Sequence, residues 1–382
     1  MQRLAAAHET PERWVTWGAW EDAPLSKEEL VGCGVGRFGL WFVWGPSHLT
    51  RAELEPLRQV GDPAMDAAYA EARSVDALLR SEASSCRAIV HAETPSWVDW
   101  TLVSRGQRVC ATYLPHVGLS LYYISLIGGF AAAAIAKTLA TSKLAGSHRA
   151  AVRRLLGTGA FVYRVCSMDL RPGGEAWRDA IRVRHVHAAV RARDPTAANL
   201  EDSIVTLLAF SYNVIVGIEI LAGHPISLEE KEAYLHLWRY VGSLLGIPDD
   251  RNPCSSLSRA KATLESIFMH ILEPDDYSRA LAQNILRLPP QSLLPYAYRA
   301  ALFRVLLGNQ LADALHLPPT TTVVRARVAL VQLTFFVYSR LLTFPVIRHV
   351  FIASHALAMR IVLAAYRSFY EKKKTPRRPL RT

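Results

Sequence analysis

The residues best placed to do chemistry lie in Ile181–Asp194, IRVRHVHAAVRARD. On a helix, side chains three, four and seven apart share a face. Arg184, His187 and Arg191 therefore line up, with an imidazole between two guanidiniums. His185 is rotated by roughly 200° from His187 and cannot share that site. Upstream, in RRLLGT, Arg154 and Thr158 stand at i and i+4. A neutral imidazole can supply the axial nitrogen of a bound metal complex. The arginines can fork onto carboxylates of that complex, whose charge offsets the desolvation of the guanidiniums. The same spacing fits a helix with one satisfied core histidine and two surface arginines. Spacing alone favours that plainer arrangement, because a metal site needs more than one candidate ligand.

The remaining histidines add no ligand set. His224 follows Gly223 at a helix end, His236 sits in AYLHLW on a helical interface, and His349 and His355 lie in a C-terminal apolar helix. A two-histidine, one-carboxylate triad could be assembled only from scattered residues. HExxH, a P-loop, GxSxG and a helix-opening GxGxxG are all missing. CGVGRFG at 33–39 is Gly-rich but lacks the flanking pattern, and reads as a loop. The five cysteines, at 33, 86, 110, 166 and 254, are far apart and odd in number. They suit free thiols in a reducing compartment rather than a disulfide framework.

The elements that must position these groups are helices. With 51% hydrophobic and 20% charged residues, the 382-residue chain can bury a large core, which excludes disorder and fibrous classes. Apolar residues recur at spacings of three and four. Ser26 with Glu29, Thr50 with Glu53 and Ser227 with Glu230 read as capping boxes. Asn199 or Asp202 opens a long helix through IVTLLAFSYNVIVGIEIL that stops at Gly223, and Gly246 and Pro248 close the next one. GRFGLWFVWG reads as a short strand or an irregular aromatic segment.

The net charge of +11 is uneven: residues 1–100 carry −6 and the other 282 carry +17. A basic body suits anionic lipid or an acidic ligand. Nucleic acid is the weakest partner, since no recognised motif is present and the arginines sit inside apolar helical patterns.

The N-terminus shows no apolar signal region. Val109–Ala136 has no charged residue and is long enough to span a bilayer, but its Gly, Ala and Ser content suits a buried core helix, and 117–136 is read as such. Val328–Ile347 is apolar but broken by Arg340 and Pro345. An amphipathic segment then leads to the basic tail, with Lys372–Lys374, Arg377 and Arg378. That tail could touch an anionic membrane, or simply be a solvated end after a last core helix.

At these residues the chain resembles the family of the ER-bound oxygenase of mycophenolic acid biosynthesis (MpaB-type) and the catalytic domain of latex-clearing rubber oxygenase. The elements appear in order over roughly residues 50–320. They are Gly61-Asp62-Pro63 with Asp66; Arg154 and Thr158; Pro172-Gly173-Gly174; Val183, Arg184, His187, Ala188, Val190 and Arg191; Thr206, Phe210 and Ser211; the run from Glu230 to Ile247; and Gly308 to Pro318.

The resemblance implies an all-α fold, a single large helical domain with a globin-like core around haem b. By position His187 matches the proximal iron ligand, Arg184 and Arg191 the arginines flanking it, and Arg154 and Thr158 polar residues near the haem that matter for activity. Family members oxidise or cleave carbon–carbon double bonds of isoprenoid chains with dioxygen. The chain departs from the pattern in places. A position that carries a distal Lys in rubber oxygenases is Gly157 here. About sixteen residues before Arg154 the sequence reads AKTLATS, without the carboxylate that serves some members as a base.

The expected organisation is an N-terminal arm (1–49), an oxygenase-like domain (50–320), C-terminal apolar helices (321–370) and a basic tail (371–382). The expected activity is that of a haem-dependent oxygenase acting on an apolar isoprenoid or secondary-metabolite substrate. The Gly/Ala-rich helix at 118–136 would line the substrate channel. The alternatives are a haem-binding sensor or carrier without turnover, and a helical membrane-surface protein without haem. The expected location is cytoplasmic, with the tail offering peripheral contact to an intracellular (ER) membrane.

Overall fold

Helix starts are fixed by local side chains. At Ser26 and Ser227 the hydroxyl accepts from the N–H three residues on, and Glu29 and Glu230 return a carboxylate to the cap N–H. Glu53 does the same for Thr50. Each box satisfies backbone donors that the first helical turn leaves free. Gly223 ends its helix in the left-handed region at φ 71°.

The computed structural model describes residues 14–16, 26–141, 148–288 and 294–366. The basic tail, with Lys372–Lys374, Arg377 and Arg378, lies outside them. Among the described residues the α-helices of six residues or more are α1 (Pro63–Glu71), α2 (Ser84–Val90), α3 (Trp100–Thr112), α4 (Leu114–Leu119), α5 (Ala133–Leu139), α6 (His148–Val165), α7 (Glu175–Arg191) and α8 (Leu200–Phe210). They continue with α9 (Tyr212–Ala222), α10 (Leu228–Leu244), α11 (Leu257–His270), α12 (Asp276–Leu286), α13 (Tyr296–Leu307), α14 (Asn309–Ala314), α15 (Thr322–Leu341) and α16 (Pro345–Tyr366). The fold is all-α. Its strands are β1 (Trp14–Thr16), β2 (Gly34–Arg37) and β3 (Leu40–Val43), in the order β1-β2-β3. β2 and β3 form an antiparallel hairpin over 34–43, so CGVGRFG, expected as a loop, supplies a strand, because its backbone pairs with LWFV. The hairpin and the residue after it bury Val35, Phe42 and Trp44 against Met269 of α11.

The main core is built around α10, whose Tyr234, Trp238 and Tyr240 are fully buried. Trp238 stacks on Phe210 of α8, ring centroids 5.3 Å apart. α3 lies tight against α10. A Cβ at Gly106 would collide with the Ala233 carbonyl and stand 2.8 Å from Leu237 Cβ. A smaller apolar cluster, including Met65, Cys86, Trp177 and Ile181, joins α1 and α2 to α7.

Two apolar stretches differ from the sequence expectation. The long helix after Asn199 breaks at Ser211, where φ −108° and ψ −87° leave the helical region. The buried Ser211 hydroxyl donates to the Leu207 carbonyl (2.7 Å) and accepts from Cys254 Sγ (3.1 Å). The stretch 117–136 is buried but is not one helix. α4 widens into a π-helix over Ser120–Ile127, stays helical through Gly129, turns at 130–132 and resumes as α5. Tyr123, Ile127, Phe130, Ala131 and Ala132 lie inside the protein.

Gly106→Ala should destabilise the fold by about 1–3 kcal/mol, the usual cost of overpacking a helix contact. Urea unfolding would show it; an unchanged midpoint would mean that α3 and α10 can separate freely.

Candidate functional site

The helix that carries the histidine begins at a turn that glycine alone makes easily. Gly173 has φ +82°, and a Cβ at Gly174 would collide with the Asp169 carbonyl. The Ala176 N–H closes the turn onto that carbonyl at 3.0 Å. α7 then lays one face on α1. His185 Nε2 donates to the Ala72 carbonyl at 2.8 Å, and its ring meets Tyr69 edge-on. His185 is therefore committed to the α1 side.

Arg184 also faces α1. Its Nε donates to Asp62 Oδ2 at 2.6 Å and its Nη2 to Asp62 Oδ1 at 2.9 Å. One turn of α1 later, Asp66 receives Arg191 through Nε (2.9 Å) and Nη2 (2.7 Å), while Arg191 Nη1 donates to the Ala198 carbonyl. Asp62 also caps α1 by accepting the Met65 N–H. The carboxylates expected from a bound group at Arg184 and Arg191 are thus supplied by the chain itself. Sequence periodicity could not show this, because the partners lie more than 120 residues away. Gly246 completes the clamp. It has φ +92°, and a Cβ there would collide with Asp62 Oδ2 and stand 2.8 Å from Arg184 Nε.

His187 is left differently. Among the described residues neither ring nitrogen has a hydrogen-bond partner. The ring is surrounded by protein, and the residue as a whole is half-buried. Burial pushes its pKa down to about 4, the guanidiniums of Arg191 and Arg154 push the same way, and Asp62 opposes them. At neutral pH the imidazole is uncharged and has a free lone pair.

Arg154 comes from α6, which is tied to α7 by Arg164 Nη1 and Asp179 Oδ2 at 2.7 Å. Asp179 takes Arg182 on its other oxygen. Burial lowers the Arg154 pKa. Thr158 stands one turn on and stays accessible. Beside it, a Cβ at Gly159 would meet no atom within 4 Å. The structure therefore brings Arg154, His187 and Arg191 into one electrostatic environment, while Thr158 and Gly159 lie on the exposed side of α6.

Two other carboxyls titrate high. Burial raises Glu201 to about 7 and Asp202 to about 6, at the start of α8. Neither is among the charges that shift His187. Among the described residues no three His, Cys, Asp or Glu side chains converge as a metal-holding set.

Residues 120–339 match the family described as ER-bound oxygenase mpaB/B'/Rubber oxygenase, catalytic domain. The chain belongs to this family. The rubber oxygenase of Streptomyces sp. (strain K30) is 25% identical over 240 residues, 58% of each chain. This chain thus spans 58% of the length of that curated relative. The structure of latex clearing protein LCP in the closed state superposes with a TM-score of 0.60 at 22% identity, over 87% of this chain and 95% of that one. The family's helical fold is therefore shared. The clamp residues Asp62 and Asp66 lie ahead of the matched segment.

Asp62→Ala should cost about 3–5 kcal/mol, because it leaves the buried Arg184 without its carboxylate; chemical denaturation gives the value. The pH dependence follows from His187. Unfolded, the imidazole binds a proton near pH 6.5; folded, it resists protonation down to about 4. Its contribution to stability is therefore lost as pH falls through that window. Replacing it, as in His187→Gln, should flatten the stability curve of the haem-free protein there, by up to about 1.4 kcal/mol per pH unit.

Proposed function

We propose that the chain is a haem-dependent oxygenase that uses dioxygen to oxidise or cleave a C=C bond of an apolar isoprenoid or secondary-metabolite substrate. One observation carries the reading. A neutral, half-buried imidazole, without a hydrogen-bond partner among the described residues, sits on a helix clamped from behind by two bidentate ion pairs. That is the donor a haem b iron requires of a protein that offers a single ligand.

When bound, the haem would supply the dioxygen chemistry; the chain supplies position and field. His187 would hold the iron, and Arg184 and Arg191 would fix the helix that presents it. Arg154 would place a permanent positive charge beside the site, where developing negative charge is stabilised. Thr158, on the same face of α6, would add a hydroxyl donor. Space for an apolar chain is supported at the Gly/Ala-rich segment, where a Cβ at the half-buried Gly129 would meet no atom within 4 Å. All five cysteines are free and buried, which supports a cytoplasmic, reducing location.

One observation favours a second reading, a haem sensor or carrier without turnover. Sixteen residues before Arg154 stands Thr138, whose hydroxyl donates to the Ala134 carbonyl. No carboxylate base is offered there.

Purified protein loaded with haemin should show a Soret band. His187→Ala should lose most of it, and His185→Ala should keep it. Normal haem binding by both variants would remove the ligand assignment. Arg154→Ala and Thr158→Ala should retain haem and lose on the order of 10²–10³ in turnover of an isoprenoid substrate. Loss of haem in Arg154→Ala would make that residue a partner of the haem carboxylates instead. A haem-replete protein that consumes no dioxygen with reductant and substrate would favour the carrier.

A further inference from the structure

α15 and α16 form a hairpin whose outer face is apolar. Of the twenty large apolar residues exposed among the described residues, twelve lie between Val323 and Val362. They fall at helical spacing. Val323, Leu330, Leu333, Val337 and Leu341 make one stripe, Val346, Val350, Leu357 and Ile361 make another, and Phe344 stands at the tip between them. Leu330, Leu357 and Ile361 are each more than 60% exposed. A soluble surface rarely carries a contiguous patch of this kind without a partner.

The inner face is fastened to the core. Ser339 Oγ donates to the Phe335 carbonyl and accepts from the buried His116 Nε2 at 2.8 Å. His355 reaches the Ala111 carbonyl through Nδ1 and the Tyr338 hydroxyl through Nε2. The hairpin is therefore a fixed part of the body, with one side packed and one side bare.

Charge says what covers it. No Asp or Glu occurs between Asp313 and Glu371. Arg325, Arg327, Arg340 and Arg360 are exposed, and none is paired with a carboxylate among the described residues. The ion pairs found there all join residues between Lys27 and Asp313. An apolar stripe rimmed by uncompensated arginines is complementary to an anionic lipid surface, with the stripe at the acyl boundary and the guanidiniums among the headgroups. Both helices are long and apolar enough to cross a membrane. Only Val328 and Ser339 of α15 are buried, and none of the Pro345–Val362 stretch of α16 is, so most of the apolar surface of the hairpin is left for lipid.

We infer that the α15–α16 hairpin docks the protein in the plane of an anionic bilayer. The inference is independent of the oxygenase reading, and its test needs no haem. The full chain is floated with vesicles of phosphatidylcholine, with or without about 30% phosphatidylserine. Binding should favour the anionic vesicles. Leu330→Gln/Leu357→Gln/Ile361→Gln should weaken it by about tenfold or more, with helicity unchanged. If that variant does not fold, Arg325→Gln/Arg327→Gln decides: loss of the preference for anionic vesicles supports docking, and an unchanged preference opposes it. Changing Lys372, Lys373, Lys374, Arg377 and Arg378 to Gln should leave most binding in place. Two results would overturn the inference. One is binding that follows those tail charges and ignores the stripe. The other is a wild-type dimer by light scattering that ignores vesicles and dissociates in the stripe variant, which would make a second copy the occupant.

Discussion

Everything at the site depends on placing two arginines inside a protein next to a neutral histidine. A guanidinium cannot shed its charge, so a helix bearing Arg184 and Arg191 cannot be buried without anions to receive them. α1 provides both, one helical turn apart, in two-point contacts that fix orientation as well as charge. With the arginines satisfied from behind, His187 is the polar group on that side of α7 left without a hydrogen bond among the described residues. Its isolation is a product of the clamp. A free carboxylate beside the ring would raise its pKa and occupy its nitrogen.

Glycines set how closely this assembly can approach. Gly246 is the clearest case, since its backbone conformation and the space beside Asp62 and Arg184 each exclude a side chain. Gly106 and Gly217 act in the same way elsewhere, the first admitting α10 and the second admitting Ser120 of the π-helical segment. Helix-to-helix distance, rather than apolar area, is what these positions determine.

The helical character of the chain, its capping boxes and the opposite directions of His185 and His187 were legible because each follows from spacing within one element. The division at Ser211 was not, since it depends on a buried hydroxyl shared with Cys254, far off in sequence. Nor was the π-helical stretch after Leu119, where the apolar pattern is the same as that of an ordinary buried helix. The ordered motifs pointed to Asp62 and Asp66 as landmarks, but spacing gave no hint that they bind Arg184 and Arg191. The outer stripes of α15 and α16 were visible as apolar residues, yet only packing could show which of them remain bare.

The clamp also sets a timetable during synthesis. Asp62, Arg184 and Gly246 must all be present before the arginines can be enclosed, and 184 residues separate the first from the last. At roughly 5–20 residues per second, a ribosome takes about 10–40 s to cover that interval. For that time the carboxylates of α1 face water, and His187, once it has been made, is an ordinary solvated imidazole. A nascent chain that meets a cofactor during this interval has no enclosed site to hold it. Loading of the proposed haem would therefore wait until most of the polypeptide has left the ribosome.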